Sequence, residues 1–222
     1  MIEKSTLKFL AELSKNNYRE WFHENKARYE AARDNVIDAS KKLYAEIRKF
    51  DTGIIFDDPK KCMFRIYRDT RFAKDKEPYK TNIGVVFSPD GTKKCWLSSY
   101  YMHVEPKGCF VSCGVYMPDV NILKSIRSAI DEDFETFSKI VENKNFKKQF
   151  VTLCHDGDSL SRVPTGFDKD SPAAEYLKLK HFYVFQSFSD NEACSSNYIE
   201  KAAKALKLTK PLHDWLNKAI LN

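Results

Sequence analysis

The inward-facing residues of this chain change their spacing twice, and that change constrains the fold more than any other feature. Over residues 29–50 they fall at Tyr29, Ala32, Val36, Ser40, Leu43, Ile47 and Phe50, in steps of three and four, with Lys26, Arg33, Lys41, Lys42 and Arg48 off the stripe. This spacing predicts an amphipathic helix of roughly five to seven turns. Over residues 62–68 the period falls to two, with Cys62, Phe64 and Ile66 on one face and Met63, Arg65 and Tyr67 on the other, as in a half-buried strand. Further apolar runs at 83–87, 95–105 and 109–117 are joined by the turns Ser88-Pro89-Asp90-Gly91 and Pro106-Lys107-Gly108. Strands linked so tightly pair antiparallel. From Pro118 the helical period returns at Ile122, Ile126 and Ile130. The expected class is therefore α+β: an antiparallel sheet, a meander over about 62–117 plus a strand near 181–188, covered by helices from the N-terminal and C-terminal parts.

Smaller signals fill in this outline. Ser5 is the expected cap of a short first helix carrying Leu7, Leu10 and Leu13, stopped at Asn16-Asn17 and followed by a turn over 18–22. Ser171-Pro172 opens another short helix, and Thr209 is the expected cap of the last one. The Gly-, Asp- and Ser-rich stretch 155–169 is the best candidate for a mobile cover. No linker-like stretch interrupts the chain, so residues 1–222 are expected to form a single domain.

Composition excludes several classes. Glu3, Lys4, Lys8, Glu12 and Lys15 break up the first twenty residues, and no later apolar run is long enough to span a bilayer, which argues against a secretory signal or membrane anchor. Six cysteines without any C-x-x-C pair, in a chain large enough to hold its own core, read as reduced thiols of a cytoplasmic protein. No nucleophile elbow, phosphate-binding P-loop or dinucleotide fingerprint occurs, which counts against the common hydrolase, NTPase and dinucleotide-binding classes and leaves the cofactor unknown.

The net charge of +6 is held almost entirely in one place. Lys60, Lys61, Arg65, Arg68, Arg71, Lys74, Lys76 and Lys80 face only Asp69, Asp75 and Glu77 across residues 60–80. Three guanidiniums so close repel one another unless something anionic offsets the cost. Either the local carboxylates do so, as a structural ion network, or a ligand does. Guanidinium forks suit phosphate or carboxylate oxygens, and Tyr67 and Asn82 add neutral donors. The candidate ligand-binding residues are Arg65, Arg68, Arg71, Lys76, Lys80, Tyr67 and Asn82, with Arg19 as a second contributor, all at one mouth. If the site is catalytic, Asp69, Tyr79 and Lys80 are the candidates, the last two as general bases whose pKa neighbouring cations lower.

The run Arg65-Ile-Tyr-Arg68-Asp69-Thr-Arg71-Phe72-Ala-Lys74-Asp75-Lys76-Glu77-Pro78-Tyr79-Lys80 resembles the signature of an uncharacterised bacterial family, domain of unknown function 2461. The segment Asn17-Tyr-Arg19-Glu-Trp21-Phe22 and the step Tyr116-Met117-Pro118 are similar to the same family. The resemblance implies membership and carries no activity, cofactor or catalytic residue with it.

Other candidates are weaker. His103 and Glu105 share a strand face and would bind a metal or move protons, but no third ligand stands at usable spacing, so a hydrogen-bonded sheet histidine is the plainer reading and no metal site is expected. Cys109 and Cys113 are too far apart along a strand, some 13 Å, to chelate one ion. Two functions stay open: binding of an anionic small molecule, with or without catalysis, and non-enzymatic binding of nucleic acid or an acidic partner. The balanced charge outside the basic run favours the small molecule over a polyanion and its wide basic track.

Overall fold

A computed structural model of the chain describes residues 1–71, 74–150, 153 and 159–222. Its sheet has four antiparallel strands in the order β1 (Ile83–Phe87), β2 (Ser99–Val104), β3 (Cys109–Val115) and β4 (Phe182–Phe188). The register places His103 of β2 between Gly84 of β1 and Phe110 of β3, and Gly114 of β3 opposite Tyr183 of β4. Side chains alternate across such strands, and burial alternates with them: Tyr100, Met102 and Val104 are sealed while Ser99, Tyr101 and His103 are half-buried.

Helices cover the sealed face. The N-terminal set is α1 (Lys4–Leu13), α2 (Arg19–Glu24), α3 (Lys26–Ile47) and the single turn α4 (Pro59–Cys62). After β3 come α5 (Val120–Glu132), α6 (Phe134–Val141), α7 (Lys144–Phe150) and α8 (Ala174–Leu177), and after β4 come α9 (Asp190–Ala193), α10 (Tyr198–Leu208) and α11 (Lys210–Leu221). The stripe on α3 is buried at Ala32, Val36, Ser40, Leu43 and Ile47, and packs on α1, α10 and β1. Fully burying each of its Val, Leu and Ile side chains contributes about 1.5–3 kcal/mol. Ser40 is tolerated there because its hydroxyl donates to the Val36 carbonyl at 2.7 Å. One continuous buried cluster runs from Ile2 to Ile220. Among the described residues no helix is long and apolar enough to cross a membrane.

The α+β class holds, and several element boundaries differ from expectation. Residues 62–68 do not form a regular strand. Asp58 caps the Lys60 amide and Pro59 opens α4, so Cys62 ends a helical turn, and Met63 is buried where Phe64 was expected to be. The chain then extends and pairs with the segment entering β1, but Met63 bridges Val85 whereas Tyr67 bridges Tyr79 instead of Thr81. Two extra residues on the returning segment break the ladder between these points, as in a large bulge. β2 begins at Ser99 because the Ser98 amide is taken by Asn217 of α11, at 2.8 Å. The expected turn over 18–22 is largely α2, and the first helix is capped at Glu3, with Ser5 inside it. Thr209 stands at the N-cap position of α11 as expected, but its side chain makes no cap bond: it is buried and its hydroxyl donates back to the Leu206 carbonyl at 2.7 Å, joining α10 to α11. Of the proposed cover, residues 155–158 lie outside the described residues; Ser159 bridges Leu179 and the remainder to 169 is irregular, without helix or strand. Cys62, Cys95, Cys109, Cys113 and Cys194 are free thiols, and Cys154 lies outside the described residues.

Candidate functional site

The basic run folds as an irregular hairpin, residues 63–68 going out and 78–85 coming back. Asn17 pins it to the α1–α2 junction, its side-chain oxygen accepting from the Tyr79 amide at 3.0 Å and its nitrogen donating to the Tyr79 carbonyl at 2.9 Å. The amide thus imitates a strand partner. Tyr79 is buried and stacks on Phe22 at 4.0 Å, with Tyr67 alongside.

Extended backbone sends consecutive side chains to opposite sides, so this hairpin divides the cations instead of gathering them at one mouth. On the α2 side, Arg19, Lys26, Tyr67, Arg68 and Tyr79 border an open depression. Arg68 is already engaged there, 2.7 Å from Asp75 and 3.6 Å from Glu77. At the loop tip Arg71 is bidentate on Asp69, at 3.0 and 2.7 Å, and Lys76 donates to the Thr70 carbonyl at 2.9 Å. The Arg71 guanidinium holds Asp69 down to about 2, which leaves that carboxylate a poor base at neutral pH. Asp75 is held below the ordinary carboxylate range by Arg68. Burial pushes the Tyr79 phenol up, opposite to the direction a base there would need.

On the other side, Lys80 and Asn82 look into a cleft of about 760 Å³ that lies over the half-exposed face of the sheet. Its floor is Tyr101, His103, Phe110, Ser112 and Tyr183, and its walls are Phe64, Lys93, Trp96, Tyr116 and Met117. Lys80 lies over the Phe64 ring at 5.1 Å and meets no carboxylate among the described residues. Its pKa is lowered, first by burial and then by the charges of Arg65 and Lys93. Lys93 lines the cleft with it, whereas Arg65 is exposed, lies outside the lining and also acts on Asp69. Arg65 makes no ion pair among the described residues. The sequence-based candidates therefore separate into Arg19, Tyr67, Arg68 and Tyr79 on one side, Asp69, Arg71 and Lys76 at the tip, and Lys80 and Asn82 in the cleft, with Arg65 exposed outside both linings.

Sequence reasoning paired His103 with Glu105 but passed over Tyr101 and the cleft floor they belong to. Tyr101 Oη lies 2.9 Å from His103 Nδ1, His103 Nε2 lies 3.2 Å from Glu105 Oε2, and Thr81 donates to Glu105 Oε1 at 2.8 Å. His103 also stacks on Phe110 at 4.5 Å, its cross-strand partner. Burial lowers the imidazole pKa, partly opposed by Glu105, and raises that of the Tyr101 phenol. The signal was available: Tyr101, His103 and Glu105 stand two residues apart and so share one face.

The profile of a family described as conserved hypothetical protein (DUF2461) matches residues 5–215. The chain belongs to this family. The match takes in nearly all of α1, the hairpin, all four strands and the first half of α11, so both the hairpin and the cleft fall within the family's extent. No curated protein and no solved structure gives a significant match.

A second polar cluster lies on the helix-covered face. Tyr100 donates to Asp51 Oδ2 at 2.9 Å and stacks on His213 at 4.7 Å, while His213 lies 3.2 Å from Ser98 Oγ and 3.5 Å from Asp51. Asp51, His213 and Asp214 bring possible ligand atoms within 4.8 Å of one another. The Lys210 ammonium already lies 3.8 Å from Asp51 and is hydrogen-bonded to Asp214, so the positive charge this group calls for is supplied by the protein.

Proposed function

We propose that the sheet-face cleft binds an anionic small molecule, carrying phosphate or carboxylate, with its charged group at Lys80 and its apolar part on the aromatic floor. The observation that carries this reading is the half-buried Lys80, accompanied by Arg65 and Lys93 and unmatched by any carboxylate among the described residues. A half-buried ammonium beside other cations is unfavourable unless an anion joins it. Asn82 stands beside them as a neutral donor, and Tyr101, Phe110 and Tyr183 offer the apolar surface that small-molecule sites use for most of their contact. Arg68 and Arg71 serve the hairpin's own ion pairs, while Arg19 contributes to the depression on the far side. Free thiols and the cation-lined cleft fit a cytoplasmic protein handling a soluble metabolite.

The test is thermal stabilisation against a panel of nucleotides, sugar phosphates and inorganic polyphosphate. A ligand at one hundred times its Kd stabilises by about 2.7 kcal/mol. The expected hit is lost in Lys80→Ala and kept in Arg71→Ala and Arg19→Ala. Silence across the panel, or loss in Arg19→Ala alone, counts against the cleft.

One observation favours a second reading, non-enzymatic binding of single-stranded nucleic acid: Trp96 and Tyr116 are 52% and 63% exposed at the rim, beside Lys93 and Lys94. Exposed rings with cations suit base stacking with backbone contact. Such binding weakens steeply with salt, in proportion to the phosphates neutralised, whereas a pocket holding one small anion shows a shallow dependence.

A further inference from the structure

The hydrogens of the cleft floor follow from its donors and acceptors. A neutral imidazole has one N–H, and the Glu105 carboxylate can only accept. His103 therefore donates from Nε2 to Glu105 and accepts at Nδ1, which obliges Tyr101 to donate its hydroxyl hydrogen to His103. What Tyr101 presents to the cleft is then its oxygen lone pairs, able to accept a proton from a ligand and already delivering their own hydrogen inward. Exposure rises along the chain, from 13% for the His103 side chain to 35% for Glu105, so the far end opens to water. The position of the hydroxyl depends on Gly84 beneath it, where a Cβ would fall 2.2 Å from Tyr101 Oη. Thr81 fixes the remaining Glu105 oxygen at 2.8 Å.

We propose that Tyr101, His103 and Glu105 form a general-base relay that takes a proton from a hydroxyl or amine group of the ligand bound in this cleft. The ligand's O–H or N–H bond breaks as its proton passes to Tyr101 Oη. The tyrosine's own proton passes to His103 Nδ1, and the resulting imidazolium is stabilised by the Glu105 carboxylate. The activated ligand oxygen or nitrogen is left beside the Lys80 ammonium, which favours negative charge. Tyr101 is the catalytic residue in this scheme, and His103 and Glu105 act through it. The ligand's identity as an anion held at Lys80 rests on the function proposed above; the relay does not.

Phenylmethanesulfonyl fluoride tests the relay without a known substrate. Attack by Tyr101 forms an O–S bond, the S–F bond breaks, fluoride leaves, and the phenolic proton passes to His103. Peptide mapping on the intact protein should find Tyr101 labelled at least about tenfold faster than the exposed Tyr18, Tyr67 and Tyr116, in line with general-base assistance. His103→Gln should remove that advantage, and Glu105→Gln should reduce it. The wild-type pH profile needs no variant. Around the imidazole stand Tyr101 and Glu105 on its own strand, Thr81 beyond Glu105 on the segment entering β1, and the non-titrating Phe110 on β3, while Lys80 lines the same cleft. With the imidazole depressed below its ordinary 6.5, selective labelling should persist at that pH and fall only at lower values. Labelling of Tyr101 no faster than of the exposed tyrosines, or with the rising alkaline profile of an unassisted phenol, overturns the relay. Inorganic pyrophosphate separates the two proposals: selective labelling that pyrophosphate leaves unchanged sinks the anion site and keeps the relay, while pyrophosphate binding without selective labelling sinks the relay and keeps the anion site.

Discussion

Tyr100 and Tyr101 are neighbours on β2, and each belongs to a group of tyrosine, histidine and carboxylate, yet the two groups are built for opposite ends. Tyr100 points under the helices, where its hydroxyl donates to Asp51, His213 stacks on its ring and bonds Ser98, and Lys210 balances the carboxylates. Tyr101 points to the open face, where its side chain lines a cleft that also holds Lys80, an ammonium with no carboxylate partner among the described residues. Residue types alone do not separate a structural cluster from a site. Access and unbalanced charge do, and both are set by which face of one strand a residue occupies.

The largest effect should come from pH on the covered cluster. Burial pulls His213 down to about 4 in the folded protein, against an ordinary value of 6.5. Between these values the unfolded chain binds more protons, so stability is complete above about 6.5 and lost as pH falls toward 4, by on the order of 3 kcal/mol. Urea denaturation across this range should show the slope. His213→Gln should flatten it, and His103→Gln, depressed in the same direction on the open face, should flatten it less. Equal effects would erase the distinction between the faces.

Removing the hydroxyls gives a sharper contrast. Tyr100→Phe deprives a buried carboxylate of a donor and should cost about 2–3 kcal/mol, whereas Tyr101→Phe, whose partner reaches solvent through Glu105, should cost less than about 1 kcal/mol. Denaturation midpoints at an unchanged m-value measure both. Gly84→Ala should leave the covered face intact while shifting the Tyr101 ring, seen as a loss of its selective sulfonylation. The smallest effect is expected for Arg71→Ala, because its ion pair with Asp69 is exposed: neither the denaturation midpoint nor anion binding should change measurably.

Much of this was legible in the sequence, for identifiable reasons. The stripe from Ala32 to Ile47 and the turns at Pro89-Asp90-Gly91 and Lys107-Gly108 are local signals, and the structure follows them. The slip that pairs Tyr67 with Tyr79 is not local: it depends on Asn17 standing in for a strand, 62 residues away. That slip also divides the basic run, since Tyr79 and Lys80 are adjacent in sequence and face different cavities. The run's excess charge marked the right neighbourhood without revealing which cations were already paired. His103 and Glu105 were visible as a pair, but their connection to a cleft depended on helices leaving one sheet face bare, a tertiary outcome that no spacing encodes.

The most direct test of the central claim is chemical-shift mapping of the isotopically labelled protein during titration with inorganic pyrophosphate. The account predicts saturable shifts around Lys80, Asn82, Lys93 and Tyr101 that disappear in Lys80→Ala. Shifts centred instead on Arg19, Arg68 and Arg71, or no saturable shifts at all, would contradict it.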